Sequence, residues 1–198
     1  GTTIDDALGE AFDKTAKMLN LGYPGGPNVE KFAKKGNKNY FKLPQPIVNR
    51  AGCNLSFAGL KTAVLRESQL IKNNSAMKFN LAASFQETIN KILRKKTLVA
   101  IDQFKKITKK KNSTFVVAGG VAANGTIRKN LIEISKKENF HAVFPKLEFC
   151  GDNAAMIAWA GIKKFKKKAI NNSKNAVARS RWPLDSSAPY MKGPGLKL

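Results

Sequence analysis

The sequence predicts an α/β fold with a parallel sheet component. Two short apolar runs, residues 115–118 and 141–149, have the composition of buried strands. A Gly119-Gly120 pair follows the first run, and a helical pattern follows each run, over residues 124–137 and 152–165. The order strand, glycine turn, helix, strand, helix is typical of α/β proteins whose strands run parallel.

The first part of the chain is predicted to be helical. A helix over residues 4–20 is indicated by apolar residues at helical spacing, and Thr3 with Asp6 resembles a capping box at its start. The glycines and prolines of residues 21–27 end this helix. Pro27 suits the first position of a short helix that ends near Gly36.

The middle of the chain contains the longest periodic segment. Residues 37–54 are predicted to be irregular because their prolines prevent regular pairing, and a helix is predicted over residues 57–71. Residues 80–107 fit one long helix or two abutting helices, with an apolar stripe formed by Leu81, Phe85, Ile89 and Ile92. The last predicted helix, residues 152–165, carries small residues that permit close packing: Ala154, Ala155, Ala158 and Gly161.

Composition excludes several classes of protein. The chain has 198 residues, 42% of them hydrophobic, which is enough to bury a core. Two distant cysteines and one histidine argue against a disulfide framework and a self-contained zinc site. No apolar run reaches the about 18 residues of a membrane span, and the start lacks a secretory signal. We expect a soluble, cytoplasmic protein without a membrane partner, and a first residue other than methionine suggests a truncated product.

The charge of the chain points to polyanions. The formal net charge is +23, and such a field attracts RNA, DNA or anionic membrane. The excess consists mostly of lysine and accompanies abundant asparagine, as AT-rich coding sequences produce. The lysine runs at residues 109–111 and 166–168 are by default solvated helix ends.

Two glycine turns are candidate ligand contacts. The turn at Gly119-Gly120 leads to Asn124 and a helix N-terminus, and glycine lets the backbone approach a phosphate closely. The Gly25-Gly26 turn lies next to the carboxylate face that ends in Asp13, and a carboxylate accepts hydrogen bonds from ribose hydroxyls. By default, both turns are ordinary chain reversals.

Asp152 is the third candidate. It follows Cys150-Gly151 and precedes an alanine-rich helix. Its carboxylate could cap that helix, as Asp commonly does, or ligate a divalent cation near a phosphate.

Five motifs taken together are more specific than any one of them. They are IDDALGEAFDKTAKMLNLGYPGGP, NLSFAGLKTAV, VVAGGVAAN, FPKLEFCGDNAAMIAWAG and RSRWPL. In this order and approximate spacing they resemble the tRNA threonylcarbamoyladenosine transferase (TsaD/Gcp) family. The resemblance covers essentially the whole chain.

The resemblance implies the actin/sugar-kinase/Hsp70-like (ASKHA, RNase H-like) superfold, in which two lobes flank a nucleotide cleft. This chain would be the C-terminal lobe with a helical insertion, with the N-terminal lobe absent. We expect residues 1–75 to form a helical nucleotide-contacting segment, residues 76–170 an α/β core and residues 171–198 a tail.

The family's activity is transfer of a threonylcarbamoyl group from threonylcarbamoyl-adenylate to the exocyclic amine of the adenosine beside the anticodon in tRNAs that read ANN codons. The resemblance therefore implies tRNA and the adenylate as partners. It also implies, in bacteria, a paralogous dimerisation partner and a small ATPase.

The resemblance also assigns site residues. Asp13 and Gly26 would contact the nucleotide sugar of the substrate. Asn124 would bind the adenylate, with the Gly119-Gly120 pair shaping its loop. Asp152 would ligate a divalent metal ion, iron or zinc.

The chain departs from the family pattern in two ways. It reads NLSFAGLKT where the family has DFSFSGLKT, and Gly151 stands where the family has threonine. More seriously, it contains neither the upstream HxxxH pair that holds the family's metal nor the SGGH loop. Asp152 alone would bind metal poorly, so we expect this fragment to be inactive by itself. His141 matches no family motif and is expected to be structural.

One alternative remains open. The chain could be a non-catalytic, basic RNA-binding module of the same fold, in which the motifs persist for folding only. An older label for the family, a glycoprotein-degrading protease, finds no support, because the sequence contains neither a nucleophilic triad pattern nor an HExxH zinc motif.

Overall fold

A computed structural model describes residues 1–71 and 74–168. Within these residues, six α-helices and two β-strands follow the predicted α/β order. They are α1 (Leu8–Leu19), α2 (Gly25–Ala33), α3 (Ala58–Ile71), α4 (Ser75–Thr108), β1 (Ser113–Val116), α5 (Gly125–Lys137), β2 (Phe140–Val143) and α6 (Ala154–Lys166). Short 3-10 helices occupy Gly120–Ala123 and Leu147–Phe149. The predicted tail, residues 171–198, lies outside the described residues.

The core is organised around α4. This single helix of 34 residues contacts α1, α2, α3 and α5, so the longest periodic segment is one helix. The predicted stripe is fully buried, and Phe12 of α1 meets Phe85 edge-on with ring centroids 5.1 Å apart. Each large apolar side chain buried in this way contributes roughly 1.5–3 kcal/mol. Burial against α4 therefore holds the surrounding helices together.

Crossing a bilayer requires a helix that is both long and apolar throughout. Among residues 1–71 and 74–168, no helix meets both conditions.

The two strands pair in parallel, as predicted. Ser113 lies opposite Phe140, and the register continues to Val116 opposite Val143. Both predicted ranges were wrong in extent. The first strand begins earlier and ends before the turn at Gly119, whose φ is 93°. The second ends at Val143 because Pro145 has no N–H to continue a ladder and a 3-10 helix follows.

The start of the chain differs from the prediction. The first helix begins at Leu8, and the expected capping box at Thr3 is wrong, because Thr3 bridges Leu55 and Ile4 donates its N–H to the Leu55 carbonyl at 2.8 Å. The Asp5 carboxylate instead accepts hydrogen bonds from Ser56 and from the Phe57 N–H at 2.8 Å. Asp5 thus caps α3 from about fifty residues away in sequence.

The environment of Asp5 changes its acidity. Burial by itself would raise the pKa of the Asp5 carboxyl. The hydrogen bonds from Ser56, Phe57, Ala58 and Asp6 favour the carboxylate and outweigh burial, so the pKa lies below its ordinary value. The cap is therefore charged at neutral pH.

Candidate functional site

Asp13 and the Gly25-Gly26 turn are in direct contact. The Asp13 carboxylate on α1 accepts a hydrogen bond from the Gly25 N–H at 3.0 Å, at the first residue of α2. A side chain at Gly25 would clash with Asp13, since its Cβ would lie 2.5 Å from the Asp13 Cα. A side chain at Gly26, by contrast, would meet nothing within 4 Å. Packing thus requires glycine at position 25, and the backbone at Gly26 is open to a ligand.

The Gly119-Gly120 turn leaves its backbone equally open. Gly119 adopts φ 93°, a left-handed conformation that favours glycine, and it begins the 3-10 helix Gly120–Ala123. A side chain at either glycine would meet nothing within 4 Å. Val121, in the same turn, lies next to Gly9 of α1. The turn is therefore close to the helix that carries Asp13.

Both polar atoms of the Asn124 side-chain amide form hydrogen bonds within the protein. Its Oδ1 accepts the Ile127 N–H at 2.9 Å, which caps α5, and its Nδ2 donates to Gln86 Oε1 at 2.9 Å. The side chain is buried. It fixes the junction between the glycine turn and α5 and ties that junction to α4. An adenylate contact by Asn124 stays a prediction.

Glu30 of α2 links that helix to the start of α5. Its Oε1 accepts the Thr126 N–H at 3.2 Å, in the first turn of α5. Sequence reasoning did not identify Glu30, because one acidic residue in a short helix carries no distinctive signal. Five of the six predicted site residues thus lie on adjoining elements: Asp13, Gly26, Gly119, Gly120 and Asn124.

A groove adjoins this cluster, and we call it the amide groove. It has a volume of about 210 Å³ and is lined by Glu30, Lys34, Gln86, Glu87, Asn90 and Thr126, among others. None of the predicted site residues lines it. Gln86 and Asn90 are 4% and 8% exposed, yet Gln86 Nε2 and Asn90 Oδ1 have no hydrogen-bond partner among the described residues. Buried polar atoms without partners are uncommon, and these two belong to side chains that line the groove.

Gln86 and Asn90 could have been found from the sequence. They are four residues apart on a helix whose neighbouring residues, Phe85 and Ile89, form the apolar stripe. Two amides beside a buried stripe, at the spacing of one helical turn, indicate a polar site within a core.

Asp152 occupies a different setting. It is exposed, and it lines a shallow depression together with residues of its own segment, such as Asn153 and Met156. The cap of α6 is Asn153, whose Oδ1 accepts the Met156 N–H at 3.0 Å, so the possible capping role of Asp152 is wrong. The described residues contain no group of three or more His, Cys, Asp or Glu side chains that could hold a metal ion. One exposed carboxylate does not make a metal site.

Arg128 connects the segment before Asp152 to the glycine turn. Its guanidinium donates to the Ala122 carbonyl in the turn, to the Pro145 carbonyl at 2.8 Å and to Cys150 Sγ at 3.2 Å. It also lies 4.9 Å from the Phe144 ring centroid. Arg128 therefore fixes the two loops that follow β1 and β2 relative to each other. No pattern in the sequence indicates this role.

Comparison with known proteins gives a consistent result. The family model described as TsaD, tRNA N6-adenosine threonylcarbamoyltransferase, matches residues 1–159. A protein of that name from Pelagibacter ubique is 55% identical over 198 residues, which cover all of this chain and 55% of the relative. Proteins of the same name from Rickettsia conorii and Thermosipho africanus are 47% and 48% identical, over 93% and 87% of this chain and 54% and 51% of their own lengths. The chain spans about half the length of these relatives.

Proposed function

This chain belongs to the TsaD family of tRNA N6-adenosine threonylcarbamoyltransferases, and from that premise we propose that it forms the adenylate-binding part of such an enzyme. The enzyme transfers the threonylcarbamoyl group of threonylcarbamoyl-adenylate to the exocyclic amine of the adenosine beside the anticodon in tRNAs that read ANN codons. The observation that carries the proposal is the meeting of α1, α2, the glycine turn and the α5 N-terminus beside the amide groove.

The two open glycine turns support nucleotide binding. Gly26 and the Gly119-Gly120 pair present backbone that no neighbouring side chain covers, so a phosphate or sugar can approach closely. Asp13 uses one oxygen for Gly25 and remains exposed, which leaves acceptor capacity for ribose hydroxyls.

The amide groove supports a base-binding role. A base is recognised by hydrogen bonds to its edge, and this requires donors and acceptors fixed in a partly apolar site. Gln86 Nε2 and Asn90 Oδ1 are one donor and one acceptor without other partners among the described residues. Together with Glu30 and Thr126 they give the groove the character of a nucleoside site.

The chemistry requires no covalent protein intermediate. The amine nitrogen attacks the carbamoyl carbonyl carbon, the bond from that carbon to the phosphate oxygen breaks, AMP leaves and the amine loses a proton. The role of this chain is to hold the adenylate so that carbonyl carbon and amine meet in a productive geometry.

Other components belong to the same proposal. Asp152 would supply one ligand of the family's metal ion, and the described residues do not supply the rest. We propose that the 198-residue chain alone binds the adenylate without catalysing transfer. The paralogous partner and the small ATPase are further proposals from family membership.

A pair of glycine substitutions tests adenylate binding. Gly26→Ala adds a methyl group that meets nothing in the protein, so it should not lower the thermal midpoint but should obstruct a nucleotide. We expect at least a tenfold loss of affinity, measured by calorimetry with a stable sulfamoyl analogue of the adenylate. Gly161→Ala in α6 adds the same group in equally open space and should bind the analogue normally. Equal affinity for both variants would contradict the proposed site.

The non-catalytic RNA-binding module is the second candidate, and the net charge of +23 favours it. It predicts RNA binding that the adenylate analogue does not affect and a chain that does not bind the analogue. Calorimetry with the unsubstituted chain therefore separates the two candidates.

A further inference from the structure

Lysines from two separate helix ends meet at one edge of the sheet. α4 ends at Thr108 and α5 at Lys137, and each is followed closely by a strand. The first residues of these strands, Ser113 and Phe140, are paired. The lysines at this edge, which we call the basic edge, are Lys105, Lys106, Lys109, Lys110, Lys111, Lys136 and Lys137.

Specific contacts hold the two halves of the basic edge together. Lys105 Nζ lies 2.7 Å from Glu138 Oε2, and the Phe104 and Phe140 rings meet edge-on at 5.7 Å. Two lysine-bearing helix ends that are about thirty residues apart in sequence are thereby held next to one another. The concentration of positive charge at the basic edge therefore results from the fold as well as from the lysine content of the chain.

Carboxylates neutralise only part of this charge. Glu138 pairs with Lys105, and Asp102 pairs with Lys106 at 2.8 Å. Five lysines are exposed and form no ion pair within the described residues: Lys109, Lys110, Lys111, Lys136 and Lys137. Attraction to a helix C-terminus accounts for lysines in the last turns of α4 and α5. It does not account for Lys110 and Lys111, which lie beyond the end of α4.

We propose that the basic edge binds the phosphate backbone of the tRNA substrate, an inference that rests on the proposed function. α5 begins at Gly125, directly after its cap Asn124 beside the candidate adenylate site, and its 13 residues end at the basic edge. At 1.5 Å per residue this places the edge about 20 Å from the site. An RNA whose target adenosine lies beside the bound adenylate has backbone phosphates at this distance. Lysines that contact phosphates position the RNA without reading its sequence.

A salt titration tests the proposal. The probe is an unmodified, fluorescein-labelled transcript of a tRNA that reads an ANN codon, and binding to the 198-residue chain is followed by anisotropy. Replacing Lys109, Lys110 and Lys111 by Gln should reduce the slope of log affinity against log salt by about 2 and weaken binding at least tenfold. A normal thermal midpoint shows that the variant is folded.

A matched variant controls for general charge loss. Lys42, Arg66 and Arg94 are exposed on other parts of the molecule and form no ion pair within the described residues, and replacing all three by Gln removes the same charge. This variant should bind tRNA within about twofold of the unsubstituted chain. Equal weakening in both variants overturns the proposal, because binding would then depend on overall charge. Binding to vesicles that contain phosphatidylserine is measured as a further comparison. If the same lysines bind these vesicles more strongly than tRNA, the proposal of a tRNA-binding edge is also overturned.

The outcome can be separated from that of the proposed function. The basic-edge variant should bind the adenylate analogue normally. A different result is that the unsubstituted chain does not bind the analogue, while tRNA binding still depends on the lysines of the basic edge. In that case the proposal of adenylate binding fails and the proposal of an RNA-binding surface is supported.

Discussion

The two ends of the described chain carry helices of similar length and opposite environment. α1, with 12 residues, buries Ala11, Phe12, Ala16 and Leu19. α6, with 13 residues, contains Met156, Ile157, Trp159, Ile162 and Phe165, and none of its residues is buried within the described part of the protein. An apolar pattern thus specifies a helix but does not by itself supply the surface against which the helix packs. The packing free energy is concentrated in α1 to α5, and the following predictions test that contrast.

The largest effect is expected in the packed region. Phe12 is 2% exposed and contacts Phe85 edge-on, so Phe12→Ala leaves a cavity against α4. We expect a loss of about 3–5 kcal/mol in the free energy of unfolding, measured by urea denaturation. Lys17→Ala, on the exposed face of α1, is the control and should change stability little. A loss below about 1 kcal/mol for Phe12→Ala would show that α1 does not pack as described.

An intermediate effect is expected where the packed region is joined to the segment before α6. Arg128→Ala removes the hydrogen bonds to Ala122, Pro145 and Cys150. Bonds from a charged donor contribute about 1.5–3 kcal/mol each in buried settings, and Arg128 is only partly buried, so we expect a total loss of about 2 kcal/mol. Amide exchange should accelerate in residues 120–123 and 145–150. Lys129→Ala, at the next position, should leave exchange unchanged, and the same result for Arg128→Ala would exclude the link.

The smallest effect is expected in α6. Trp159 is 61% exposed, and its ring contacts Lys163 Nζ at 4.7 Å from the centroid. Trp159→Ala should therefore cost less than about 1 kcal/mol, in contrast to Phe12→Ala, when both are measured by urea denaturation. A loss of more than about 2 kcal/mol would contradict the contrast, since it would mean that α6 is packed in solution.

The sequence predicted elements well where a single physical rule applies. Helical periodicity located α1, α3, α4 and α5, and the stripe through Leu81 and Ile92 is the buried stripe of α4. Predictions of packing were less accurate, because packing depends on contacts between residues that are far apart in the sequence. The small residues of α6 permit close packing, yet Ala154, Ala155, Ala158 and Gly161 are exposed within the described residues, because helical periodicity does not say which surface a helix packs against.

The same limit applies to the candidate site. Glycine turns and a cap residue are local features, so Gly26, Gly119 and Asn124 could be singled out from the sequence. Their predicted roles toward a nucleotide remain predictions. Glu30 and Arg128 act through partners many residues away, Thr126 for the first and Cys150 for the second. No local pattern marks such residues, because only the folded chain brings their partners within hydrogen-bonding distance.

The positions of the hydrogen-bond donor and acceptor of Gln86 in the amide groove are fixed. The Ile127 N–H can only donate, so Asn124 must turn its oxygen toward Ile127 and its NH₂ group toward Gln86. Gln86 must in turn offer its oxygen to Asn124, which leaves its own NH₂ group without a partner in the described residues. Neither amide can flip without losing a buried hydrogen bond. One backbone N–H at the start of α5 therefore determines that a ligand reaching Gln86 must present an acceptor.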